Sequence, residues 1–515
     1  MTVTADEGIT LTGAIYTSAD ATDTGSEGAD IVFNDKVLVN GTVIIDSNDD
    51  ANDGVITFST SIDGVDGTGD DLTINSGAGT LTLQAIGATQ ALSTLNINTA
   101  ATSTANISLP NIGDAGNDGV DGATNIGNSL TNQLTISGTI YKTGGATDYE
   151  AKSGNTILLT GVSPTITTGG ADLSFSTGNL VLSSAGTTTF TTGSGSAGGI
   201  TVAGTIDGTN GQNEALALES GSGAIQLQGT IGGTNPVTTL AINSTNGSAG
   251  TIEIVGIGDS DTTGASSTAT IGNTSTGTLT LDGTIYKTGG NQTYVASATG
   301  NDSGQNIDIT GAATFTTTND AVAFNTSGVD LANNGTTTIN TGTGIGDVSF
   351  AGALESNGGS NDLLVITSGA GDVTFTGAVG ATNALGGLDV NSSAGDGDIT
   401  FSSTIGDSGN AGVVGTTAIG GTATEDVNLA GLIYSFDGGT TITAADGDNI
   451  KLTGTGDVTF TTAADNIEFA TGHIHLADGS NLVVDTGALL GNITIAEIAG
   501  TSVETVTPVS HTHLT

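Results

Sequence analysis

Apolar and polar residues alternate along short stretches of this chain, as in Gly79-Thr-Leu-Thr-Leu83, Ala224-Ile-Gln-Leu-Gln228, Asp347-Val-Ser-Phe350, Asp372-Val-Thr-Phe375 and Asp457-Val-Thr-Phe460. Successive side chains of a strand point to opposite faces, so such alternation, rich in β-branched Thr, Val and Ile, predicts half-buried strands. Clusters of Gly, Asn, Asp and Ser separate the stretches and predict turns. No window carries the 3.6-residue period of a helix. The chain reads as short strands and turns almost throughout.

A longer period lies over this texture. The phrase Gly138-Thr-Ile-Tyr-Lys-Thr-Gly-Gly145 recurs word for word at Gly283 to Gly290, and in degraded form at Gly431-Leu-Ile-Tyr434 and Gly13-Ala-Ile-Tyr16. Tyr141 to Tyr286 is 145 residues and Tyr286 to Tyr434 is 148. Three further landmark families keep that spacing: Ile112-Gly-Asp114, Ile257-Gly-Asp259 and Ile405-Gly-Asp407; Ile126-Gly, Ile271-Gly and Ile419-Gly; Leu95-Asn-Ile-Asn98, Leu240-Ala-Ile-Asn243 and Leu388-Asp-Val-Asn391. A duplicated module of about 145 residues follows. Residues 1–75 read as a partial N-terminal repeat, 76–219, 220–367 and 368–500 as three modules, the last diverged at its end, and 501–515 as a tail with a candidate assembly strand.

Composition decides how such strands pack. The 515 residues include 84 Gly, 52 acidic residues against 5 Lys, no Arg, no Cys, no Trp and 3% aromatics, with a formal charge of −47. A sandwich or barrel needs a core wide enough for large side chains, and aromatic poverty argues against one. An all-β solenoid suits the chain better: each coil buries a narrow ladder of small and branched residues on the next, and Gly or Asn takes the corners. At roughly 20 to 25 residues per coil, a module is expected to hold about six or seven coils. The charge repels phosphodiester backbones and anionic membranes, which excludes nucleic-acid binding. No stretch reaches ~18 apolar residues, and Met1-Thr-Val-Thr-Ala-Asp-Glu7 lacks the regions of a signal peptide. The expectation is a leader already removed, a piece of a longer chain, or another export route.

Phrases such as Gly221-Ser-Gly-Ala-Ile-Gln-Leu-Gln-Gly-Thr-Ile-Gly-Gly-Thr-Asn-Pro-Val-Thr-Thr-Leu-Ala-Ile-Asn243 and Gly369-Ala-Gly-Asp-Val-Thr-Phe-Thr-Gly-Ala-Val-Gly-Ala-Thr-Asn-Ala-Leu-Gly-Gly-Leu-Asp-Val-Asn391 resemble the repeats of large bacterial surface proteins, including filamentous-haemagglutinin-like adhesins. The likeness is one of repeat texture over most of the chain. It implies a right-handed parallel β-helix (β-solenoid) outside the cell, serving adhesion, surface layers or filaments.

Candidate chemistry is sparse. His473, His475, His511 and His513 form two His-x-His pairs, and residues two apart on a strand face one side, so each pair offers two imidazoles to one metal. Aligning Phe460 with Phe315 sets His473 and His475 opposite Gly328 and Asp330, so these imidazoles are additions to the repeat. The acidic segments containing Asp46, Asp50 and Asp53, and Asp118 and Asp121, supply the oxygens calcium takes, but neither the EF-hand nor the β-roll spacing fits. Solvated turns account for most of them, and calcium is the one candidate cofactor, because 52 carboxylates face 5 cations. No catalytic residue is assigned: a polysaccharide-active β-helix needs clustered carboxylates with Arg or Lys, and the tyrosines recur with the repeat, as structural residues do.

The expectation is a non-enzymatic structural subunit of an extracellular or cell-surface filament, sheath or layer, whose main partner is itself, joined head to tail through the exposed strand edges of its ends. A surface adhesin binding a glycan or another cell is the alternative. A phage tail-fibre-like protein and a polysaccharide-active enzyme stand behind it.

Overall fold

A computed structural model describes the chain except residues 18–28, 49–52, 101, 194–196, 210–212, 246–249, 299–304, 333, 358–361, 394, 488–490, 501–503 and 510–515. The described residues form strands, turns and no helix, in a right-handed parallel β-helix. Contacts divide it into two units, Met1–Ile254 and Val255–Thr515.

In the second unit every coil contributes up to three short strands, one to each face. One face runs from Ala269–Ile271 to Ile498–Gly500, another from Ile285–Lys287 to Ile493–Ile495. The third runs from Leu279–Leu281 to Leu354–Ser356, narrows to single bridges at Val379 and Ile405, and widens again from Ile433–Ser435 to Val506–Val509. The first unit is built likewise: Thr165–Thr168 pairs in parallel with Ile140–Thr143 on one side and Gly186–Thr191 on the other. The alternation in sequence becomes alternation in burial, as in Glu214–Glu219, where every second residue is buried.

Each inward position therefore stacks on the equivalent position of the next coil. On one face of the second unit the stack is Tyr294, Phe324, Phe350, Phe375 and Phe401, with ring centroids 5.2, 5.0, 5.1 and 4.6 Å apart and rings within 16° of parallel. All 12 Phe are buried. Large rings are thus not unsuited to this interior. Offset stacking matches the ~4.8 Å spacing of adjacent strands, so one ring per coil fits in a column, worth about 0.5–1.5 kcal/mol per pair beyond burial.

Coils reach beyond the expected 20 to 25 residues. From Tyr286 the column continues to Phe315, Ile339, Ile366, Val390 and Ile419, in steps of 24 to 29 residues. Tyr434 lies two strands beyond Ile419, on another face. The 148-residue period thus spans five and two-thirds coils, and successive copies of a landmark appear on different faces.

The landmarks are corner and packing devices. Asn98, Asn243 and Asn391 are buried with φ of 50, 45 and 53°. Their Oδ1 atoms accept the Ser76, Ser220 and Ser368 amides one coil earlier at 2.7, 2.8 and 2.8 Å. Asn tolerates this left-handed backbone and supplies the hydrogen bond that Gly lacks. The phenol oxygens of Tyr141, Tyr286 and Tyr434 accept the amides of Gly138, Gly283 and Gly431. A Cβ on Gly283 would stand 1.9 Å from the Val255 carbonyl oxygen, which is why glycine opens the motif. The degraded copy does not reproduce this: Tyr16 is 59% exposed. Pro508 lies within the last described strand, Val506–Val509. Leu482 donates to the Thr505 carbonyl at 2.9 Å, so Val506 and Pro508 direct their nitrogens to the open edge, where no ladder bond is lost.

The two copies of one tyrosine differ in a testable way. Tyr294 donates to Gln292 Oε1 at 3.0 Å, whereas Tyr149, fully buried beside the shorter Thr147, has a hydroxyl with no partner among the described residues. Tyr294→Phe leaves a buried acceptor unpaired and is expected to cost about 1–3 kcal/mol, while Tyr149→Phe is expected to be neutral or stabilising. Denaturant unfolding of both variants checks this; equal losses would contradict it.

Candidate functional site: recurrent buried carboxylates and an acidic column

Two sets of carboxylates are buried at module spacing, at positions the landmark reading missed. The first set is Asp63, Asp207 and Glu355. Each accepts two consecutive backbone amides from the loop one coil on: Thr89 and Gln90 at 2.8 and 3.3 Å, Thr234 and Asn235 at 2.8 and 3.2 Å, and Thr382 and Asn383 at 3.1 and 2.8 Å. Lys36 adds an ion pair to Asp63 at 3.0 Å. The second set is Asp70, Glu214 and Asp362. Burial draws Asp70 upward, but the amides of Asp66, Gly41, Gly67 and Val65 outweigh it and hold the carboxyl below its ordinary range. Both sets keep the module spacing, 144 and then 148 residues.

Asp114, Asp259 and Asp407 are half-buried and close their own turns. Asp114 Oδ1 accepts Gly116 and Asn117 amides at 2.7 and 2.8 Å, and Asp407 Oδ1 accepts those of Gly409 and Asn410 at 2.6 and 2.7 Å. These amides hold Asp114, Asp259 and Asp407 below the usual carboxylate range. The preceding Gly258 and Gly406 have φ of 77 and 70°, which the turn requires.

The calcium candidates are engaged in similar bonds. Asp46 accepts the Asn48 amide at 2.9 Å, Asp53 accepts the Ala78 amide, and Asp118 pairs with Lys142 at 3.3 Å. Asp121 lies on the exposed turn before the next strand, and its amide donates to the Leu92 carbonyl. Asp50, His511 and His513 lie outside the described residues. His473 and His475 share the outward side of His473–Leu476, as the spacing predicts. His473 meets Glu497 at 3.0 Å, and His475 stands in register with Lys451, a cation that disfavours a metal there. Among the described residues no three His, Asp or Glu side chains converge as a metal ion needs.

One carboxylate group departs from this pattern of satisfied turns. In the second unit Asp308, Asp330 and Glu355 stand in register on three consecutive coils. Burial, then the negative charges of Asp308, Glu355 and Asp362, push Asp330 up to about 6. Burial also raises Asp308, and it raises Glu355 against the amides of Asn383 and Thr382. Adjacent like charges on neighbouring strands repel, so this column can take up a proton in mild acid. It is the most chemically distinctive arrangement in the second unit.

Comparison with known protein families, with curated proteins and with solved structures finds no match to this chain.

Because Asp330 binds its proton more tightly folded than unfolded, its charge costs stability above about pH 6, and that cost is relieved as pH falls toward 4. The second unit is therefore expected to gain stability on acidification from pH 7 to 5. Asp330→Asn is expected to stabilise it at pH 7 by on the order of 1 kcal/mol, allowing for solvent screening, and to flatten the dependence. Thermal unfolding across that range decides; a variant that keeps the full wild-type slope contradicts the assignment.

Proposed function

We propose that this chain is a structural subunit of an extracellular or cell-surface filament, sheath or layer, assembling with its own copies through the ends of the β-helix. The observation that carries this reading is where the recurring residues are spent. Tyrosine hydroxyls, asparagine corners and buried carboxylates all hold a coil to its own turn or to the next. What is repeated at module spacing is the means of extending a stack.

Among the described residues, Thr2–Val3, Ile9–Leu11 and Ile15–Tyr16 in the first unit are paired on one side only, as are Ile493–Ile495, Ile498–Gly500 and Val506–Val509 in the second. Such edges offer main-chain donors and acceptors to a strand from another copy, and a head-to-tail contact that does not close propagates. Pro508 removes one donor from its edge, so the two other faces supply most of the pairing. An acidic surface favours assembly at raised ionic strength.

Negative-stain microscopy tests the reading. Concentration-dependent fibres are expected, longer at 0.5 M salt than at low salt because salt screens the repulsion between acidic copies. Ile474 donates to the Glu497 carbonyl, so the Ile498 amide faces outward, and Ile498→Pro is expected to shorten the fibres at least tenfold. Wild-type monomers at every concentration would contradict the proposal, and discrete trimers would support a fibre of fixed symmetry instead.

A further inference from the structure

The first unit carries a groove of about 510 Å³ on one face. Its floor is a column of outward side chains in register on consecutive coils: Asn125, Asp148, Ser174, Thr201 and Gln226. Its wall is the neighbouring column of residues that precede the same strands, Ala123, Ala146, Asp172, Gly199 and Ala224. Four of these five wall residues are Ala or Gly, whose small size opens the concavity, and Asp172 accepts the Gly199 amide at 2.8 Å.

The repeat supplies a comparison inside the molecule. Aligned on Ile126 and Ile271, and on Tyr149 and Tyr294, the next copy has Thr270 and Thr293 where the floor has Asn125 and Asp148. It has Thr268 and Asn291 where the wall has Ala123 and Ala146. So the first copy lengthens polar side chains on the floor and removes bulk from the wall, at the same coils. A coil folds with either set, and the departure is therefore not required by the coil.

The floor's chemistry restricts the ligand. Asp148 accepts the Ser174 hydroxyl at 2.5 Å and the Ser176 hydroxyl at 2.8 Å, which orients both. Asn125 is exposed and donates to Asn96 at 2.8 Å, and the Thr201 hydroxyl has no partner among the described residues. Donors and acceptors thus recur once per coil, at ~4.8 Å intervals. Among the described residues no aromatic side chain and no cation line the groove, which removes the anchors on which peptide recognition concentrates and the partners an anion needs. A volume of this size lies within the ~300–1,000 Å³ range of small-ligand pockets.

We propose that this groove binds an uncharged, extended polysaccharide strand lying along the helix axis, one sugar ring per coil, its hydroxyls exchanging hydrogen bonds with Asn125, Ser174, Thr201 and Gln226. The inference is independent of assembly through the ends. Without aromatic stacking each site is weak, and copies side by side add strength through multivalency.

The test uses the full chain with cellohexaose and xylohexaose as probes and hexagalacturonate as the anionic comparison, read by saturation-transfer NMR and titration. Two double variants import the next copy's residues: Asn125→Thr with Asp148→Thr, and Ala123→Thr with Ala146→Asn. Binding of at least one neutral hexasaccharide is expected, at least tenfold weaker in both variants while their thermal unfolding stays at the wild-type temperature. If neither neutral probe binds, if hexagalacturonate binds as tightly, or if both folded variants retain wild-type affinity, the proposal is overturned.

Discussion

The structure depends on backbone pairing between coils in a single parallel register. Once Val348–Phe350 pairs with Val373–Phe375, Phe350 must lie on Phe375, and Ser349 beside Thr374. A slip of one residue would turn every inward side chain to solvent, so the core enforces the register that the main chain permits. The composition follows from this. Inward columns demand similar shapes on successive coils, corners demand Gly or Asn, and outward columns are left free to vary.

A cost accompanies the same constraint. Outward residues are also stacked, so identical charges on successive coils face each other at strand spacing, as Asp308, Asp330 and Glu355 do. Most acidic residues avoid this by closing turns or accepting amides from the next coil, which uses the negative charge to satisfy buried main-chain donors. The module's length of five and two-thirds coils has a further effect in the second unit. Tyr286 and Tyr434 open different faces, so exact repetition cannot build one continuous site along one face. A site must come from residues that depart from the repeat, and those of the first unit's groove do.

Much of the fold was legible in the sequence because its determinants are local. Alternation in stretches such as Asp372-Val-Thr-Phe375 gave the strands and their buried positions, and the Leu-x-Ile-Asn landmarks marked corners that the positive φ of Asn98 and Asn243 explains. Coil length was less legible, because turns such as 258–264 lengthen a coil without disturbing the strands. The column from Tyr294 to Phe401 was hidden because its members lie 25 to 30 residues apart and become neighbours only by pairing. The buried carboxylates were hidden for the same reason. Asp207 looks like any turn aspartate until Thr234 and Asn235 are brought to it from the next coil. Its spacing to Asp63 and Glu355 was nevertheless present in the sequence, and would have identified it. The histidine pair at His473 and His475 was placed on one side of a strand as expected, and its neighbours Lys451 and Glu497 could be known only from the register.

The central claim, coils in fixed register, can be measured directly because the chain has no cysteine. Ser349, Thr374 and Thr400 form an outward column on three successive coils. Neighbouring in-register strands bring Cα atoms to ~4.8 Å, within the ~4.4–6.8 Å that a disulfide spans, whereas two coils give about twice that distance. Oxidation of Ser349→Cys with Thr374→Cys is predicted to give a complete intramolecular disulfide in the folded chain, and Ser349→Cys with Thr400→Cys none. Efficient bonding of the second pair, or failure of the first, would contradict the account.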